Sequence, residues 1–179
     1  MIDLKPACLR MTELVAGIAD EQLDLPTPCT EYAVRDLVAH VDEVARGFAS
    51  VARGDLEQPP VPELGADWRS TVAGHVRDLG VAWDDEAAWR GSADAAGVEL
   101  SNEVWGRIAL TEVVVHGWDL ARATGQPFAL PEETLRACLE HVEEFVPKAP
   151  IPELWGEPVD VPAGAPVLDR IVAITGRKP

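Results

Sequence analysis

Positive charge is scarce in this sequence: 15 lysines and arginines stand against 31 aspartates and glutamates, for a formal net charge of −16 over 179 residues. That imbalance repels phosphate backbones and anionic lipid surfaces, so neither nucleic acid nor a membrane is an expected partner. Long apolar runs are missing too. No window approaches the roughly 20 residues of a membrane span, and the opening Met1-Ile-Asp-Leu-Lys5 has no basic segment leading into an apolar core, so export is not expected. Cysteine is limited to Cys8, Cys29 and Cys138, an odd set without C-x-x-C spacing. This excludes a disulfide framework and a zinc-knuckle or dithiol redox motif, and reduced thiols in a cytoplasm fit best. The length suits one domain with a full core, residues 1–179.

What is present is helical period. Leu4, Cys8, Met11, Val15 and Ile18 mark a helix over about 3–18. Leu37, Val38, Val41, Val44, Ala45 and Phe48 trace the face of a second, with Thr30 as its expected N-cap and Pro26 and Pro28 in the loop before it. Residues 51–65 contain Pro59, Pro60 and Pro62 and read as a loop. A third helix over 66–88 buries Trp68, Val72, Val76, Leu79 and Trp83, and small residues over 91–100 make a second connection. The fourth helix, 102–124, stops at Gly125 and Pro127; Pro131 at the first helical position opens a fifth through 146. A short extended run at 159–161 and a terminal helix near 168–175 complete the chain. Three successive valines at 113–115 favour a strand, but no partner strand of quality lies nearby to satisfy its backbone. The expected architecture is all-α: a four-helix bundle with long crossover loops and a short C-terminal appendage.

Within the most apolar of these helices sit Glu112 and His116. Residues at i and i+4 project from one side, so the pair can present an oxygen and an imidazole nitrogen to a single point. Trp105, Ala109, Glu112, His116 and Asp119 share that stripe, with Val104, Ile108, Thr111, Val115 and Trp118 expected opposite. Burying an unpaired carboxylate costs several kcal/mol, so a partner is required. His40, on the shoulder of the second helix's apolar face, can point into a seam between helices and serve as a third member. Two histidines and a carboxylate supply three ligands to a divalent transition metal and leave a position open, as catalytic sites do.

Ordinary explanations stand beside that one. Glu112 can pair with Arg107 or Arg122, and His116 can bond a carbonyl. His40 and His75 can be satisfied histidines at helix interfaces, His75 more readily that than a fourth ligand. His141 points away from Leu135, Leu139 and Val142 and is expected in solvent. Cys29 reads as a small buried thiol with the site within reach. Asp36 and Asp119 can orient an imidazole, although surface pairing with Arg35 or Arg122 is the expected arrangement.

Three segments also resemble a known family. Pro26-Thr-Pro-Cys-Thr-Glu-Tyr-Ala-Val-Arg-Asp-Leu-Val-Ala-His40, Glu112-Val-Val-Val-His-Gly-Trp-Asp-Leu-Ala-Arg-Ala-Thr-Gly125 and Asp169-Arg-Ile-Val-Ala-Ile-Thr-Gly-Arg177 are similar to signatures of the DinB-like, mycothiol-dependent maleylpyruvate isomerase N-terminal superfamily, the last to that of its single-domain subgroup. Tyr32 stands where the family usually has tryptophan. The resemblance implies a DinB-like bundle holding a divalent metal, Zn(II) with Ni(II) as the alternative, through His40, Glu112 and His116. It implies a small-molecule thiol of the mycothiol type as cosubstrate and an electrophilic substrate. The isomerase itself carries a further C-terminal domain that contributes to its active site, so the expectation is thiol S-transfer or an isomerase-like reaction rather than that specific isomerisation. The competing expectations are a non-catalytic metal-binding or interaction module, a homodimer through exposed tryptophans such as Trp89 or Trp155, and a metal-dependent hydrolase.

Overall fold

The computed structural model describes residues 1–55, 64–95, 97–149 and 155–179. Its order is α1 (Lys5–Gly17), α2 (Val34–Arg53), α3 (Trp68–Ala82), β1 (Ser92–Ala95), β2 (Val98–Ser101), α4 (Asn102–Thr124), α5 (Glu132–Phe145) and α6 (Val167–Ile174). Helices α1 to α4 form the bundle: α1 and α2 each pack against α3 and α4. On the far side α5 packs on α4, and α6 on α5, so α4 is covered from two directions. That position explains why α4 is apolar around most of its circumference, with Ala109, Leu110, Val114, Val115 and Leu120 fully buried. The valines at 113–115 are helical, because a buried helix satisfies its own backbone where a lone strand does not.

Helix ends follow local chemistry. Helix α4 starts where the Ser101 hydroxyl accepts the Val104 N–H at 3.3 Å, and stops at Gly125, whose φ of 71° places it in the left-handed region. The first α2 residue is Val34 rather than one beside Thr30. Residues 29–32 instead close a turn, with the Tyr32 N–H donating to the Cys29 carbonyl at 2.9 Å and the Thr27 hydroxyl bonding the Tyr32 carbonyl at 2.8 Å. The Ala33 N–H then donates to Asp36, so Asp36 caps α2 and orients no imidazole. Helix α3 is shorter than its apolar pattern suggests; a 3-10 turn at Glu86–Trp89, capped by Asp85, takes over its last stretch.

The 91–100 connection is a correction to the sequence reading. It is an antiparallel hairpin pairing Ala93 with Leu100 and Ala95 with Val98, and its alternation turns those four inward and Asp94 and Glu99 outward. Residues 159–161 form no strand, although the Val159 N–H donates to the Ala173 carbonyl and ties the tail to α6. Of the loop expected at 51–65, residues 51–53 are instead the last of α2, which ends at Gly54 in the left-handed region, and 56–63 lie outside the described residues. No helix among the described residues is long and apolar enough to cross a membrane.

Candidate functional site

Helix α2 carries His40 and helix α4 carries Glu112 and His116, and the α2–α4 contact brings the three together. His40 Nε2 lies 3.4 Å from Glu112 Oε2, and His116 Nε2 lies 3.2 Å from the same oxygen. The two imidazoles meet edge to face with centroids 4.9 Å apart, and Tyr32 stacks on the outer face of His40 at 5.3 Å. Each of the three offers a ligand atom within 4.8 Å of the other two. A second group, Cys29, His116 and Asp119, meets the same limit.

His116 is held from behind. Its Nδ1 lies 3.1 Å from Asp119 Oδ2, and Asp119, fully buried, receives the Arg177 guanidinium through Nη2 at 2.9 Å and Nε at 3.3 Å. The remaining Arg177 edge donates from Nη1 to the Thr175 carbonyl at 2.7 Å. Asp119 is therefore no surface charge paired with Arg122, as the sequence reading expected. Arg122 lies over the Trp118 ring, and Arg107 bonds Glu103, so neither is the partner of Glu112. Glu112 is paired with the two histidines. Burial opposes ionisation of its carboxyl, but those hydrogen bonds and their charge outweigh it and hold the group well below the usual carboxylate range. Burial likewise opposes charge on His116, and the bonds to Asp119 and Glu112 overcome it, raising that imidazole to about 9. In this state His116 is an imidazolium shared by two carboxylates.

The cluster forms the floor of a cavity of about 710 Å³. Cys29 and Tyr32 from the α2 approach, Trp155, Thr175 and Arg177 from the tail, and Phe48 and Trp105 from the bundle border it, with the hairpin closing one side. Ile108 also lines it, one turn before Glu112, and so lies on the site face of α4 rather than opposite. Burial raises the Cys29 thiol above its ordinary range, with the Arg177 charge acting against it.

Other candidates lie elsewhere. His75 pairs through Nδ1 with the buried Asp42 at 2.6 Å and is not a fourth ligand. His141 is buried rather than solvated: it stacks on Phe145 at 4.9 Å, and its Nε2 has no hydrogen-bond partner among the described residues. Trp89 and Trp155 are both half-buried, Trp89 donating to the Trp83 carbonyl, so neither is the exposed ring that a dimer surface was expected to use.

The match that decides the family spans residues 4–121, from α1 to the end of the site-bearing turn of α4, against the mycothiol maleylpyruvate isomerase N-terminal domain. The chain belongs to that family. Two uncharacterized proteins of Mycobacterium tuberculosis, from different strains, are each 31% identical over 173 residues, covering 92% of this chain and 90% of theirs. The crystal structure of a mycothiol-dependent maleylpyruvate isomerase variant superposes with a TM-score of 0.57 at 16% identity, over 78% of this chain and 66% of that one. That likeness establishes a shared fold. The family match ends before Arg177, whose part in fixing Asp119 and His116 was not legible from spacing; its one sequence signal is its place at the end of the third signature.

Proposed function

We propose that this member of the mycothiol maleylpyruvate isomerase N-terminal family is a metal-dependent thiol S-transferase or isomerase-like enzyme, with His40, Glu112 and His116 as the ligands. The observation that carries the reading is the convergence of two imidazoles and one carboxylate on the floor of an open cavity. The donor set fits Zn(II), with Ni(II) as the alternative. A dication held there supplies Lewis acidity that lowers the pKa of a thiol.

The chain's own residues prepare that chemistry. Asp119 accepts from His116 Nδ1, which fixes the ring with Nε2 facing the Glu112 carboxylate, and Arg177 holds Asp119 in place. Charge supports the same reading. Glu112 would offset one charge of a dication whose other two ligands are imidazoles, and an anionic sulfur in the cavity would offset the other. The thiol is of the mycothiol type and the reaction partner an electrophile. A single domain over residues 1–179 working in a reducing cytoplasm suits the three free cysteines.

Elemental analysis of purified protein is expected to find one equivalent of metal per chain, and His116→Ala is expected to abolish both metal content and thiol transfer. Metal-replete protein without transfer from any cellular thiol would refute the enzyme reading.

A further inference from the structure

Beyond the ligand cluster, the part of the cavity wall built by the hairpin, α2 and α4 is apolar among the described residues. The inward face of the hairpin presents Ala95, Val98 and Leu100, and across from it stand Phe48 of α2 with Trp105 and Ile108 of α4. Phe48 and Trp105 lie ring to ring at 6.0 Å and make a continuous surface. The volume of about 710 Å³ lies in the range that encloses a small organic molecule.

The charges on the lining have one sign to spare, and it is negative. Glu31 and Glu112 contribute carboxylates. Arg177 is the one fixed cation among the described lining residues, its donors spent on Asp119 and the Thr175 carbonyl, and both ring nitrogens of His116 are already taken by Glu112 and Asp119. The segments 56–63 and 150–154, and residue 96, contain no lysine or arginine in sequence. A carboxylate seated against this wall loses its water without gaining a free cation, which opposes its binding. An uncharged apolar group loses nothing comparable and gains from burial.

We propose that the compound admitted beside the ligand cluster is uncharged, with an apolar body held between the hairpin and the Phe48, Trp105 and Ile108 wall, and that the wall rejects carboxylated compounds. Naming this compound the electrophile rests on the thiol-transfer reading; the selectivity of the wall does not. Val98 and Ala95, paired across the hairpin, set that selectivity.

Benzylacetone and hydrocinnamate, near-isosteres that differ by a charge, test it by titration calorimetry on the full chain, as purified and after chelator treatment. In chelated protein, where no ion can hold the carboxylate, the ketone is expected to bind at least tenfold more tightly. Val98→Lys is expected to shift the ratio at least tenfold toward the carboxylate, and Ala95→Lys provides the same reading should the first variant fail to fold. Equal or tighter binding of the carboxylate by chelated wild-type protein, no measurable binding of the ketone, or an unchanged ratio in a folded lysine variant would overturn the proposal. Protein that is free of metal as purified counts against the thiol-transferase reading alone, since the wall's preference is read without an ion.

Discussion

Glu112, His116, Asp119 and Arg177 form a chain of alternating charge in which each ionised group is compensated by its neighbour. Its weakest point is the end that lies far away in sequence. Arg177→Met removes the cation and leaves Asp119 buried with one partner, and such losses cost about 3–5 kcal/mol. Urea unfolding is expected to show a destabilisation of that order, whereas an exposed ion pair such as Arg136 with Glu132 carries at most about 1 kcal/mol.

His141 makes a second prediction at this scale. Burial, then the Arg107 charge, lowers its imidazole from the ordinary 6.5 to about 4. Between those values the unfolded chain binds a proton that the folded chain does not, so stability falls as pH drops from about 6.5 to 4. Each unit corresponds to about 1.4 kcal/mol. Comparing unfolding free energies across that window, His141→Leu is expected to flatten the decline by about 3 kcal/mol relative to the parent. Identical slopes would place the acid sensitivity elsewhere.

At the scale of elements, α4 is both the site's platform and the most enclosed helix, and its glycines serve the second role. A Cβ on Gly106 would stand 2.7 Å from ring atoms of Trp83 and Trp89, two rings that meet edge to face. Overpacking of that kind costs about 1–3 kcal/mol, against a helix-propensity gain of about 1 kcal/mol. Gly106→Ala is therefore expected to destabilise, by about 1 kcal/mol net. Gly74, inside α3, has nothing within 4 Å of the same position, so Gly74→Ala is expected to stabilise by up to about 1 kcal/mol. Paired thermal melts of the two variants test this, with opposite shifts the expected result. The hairpin belongs to this scale as well. Its alternation is only four residues per strand and falls among alanine, serine and glycine, too weak a period to read as a strand before its packing against α4 is known.

For the whole molecule the dominant quantity is the net charge of −16, which works against compactness through self-repulsion. The Debye length shrinks from about 30 Å at 0.01 M salt to about 10 Å at 0.1 M, well inside the span of the bundle. Raising salt over that range is expected to increase the melting temperature by a few degrees, since 1 kcal/mol moves a chain of this size by about 2–4 °C. A flat or falling melting temperature would mean that the buried ion pairs, rather than the surface, govern the salt response.

The bundle helices, their approximate limits and the joint orientation of Glu112 and His116 are decided by sequence, because turn-to-turn geometry within a helix is local and needs no knowledge of neighbours. His40 was legible only as a candidate. It is 72 residues from Glu112, and two helix faces meet only when the whole bundle packs. Arg177 reaches Asp119 across 58 residues, and the same separation of scales hid both Asp119's burial and His141's. A helix pattern states which face is apolar, whereas the partner of a buried charge is chosen by whichever distant segment closes over it. For this chain that choice was made by tertiary structure: the tail laid Arg177 against Asp119, and the hairpin walled the cavity above His116 with apolar side chains.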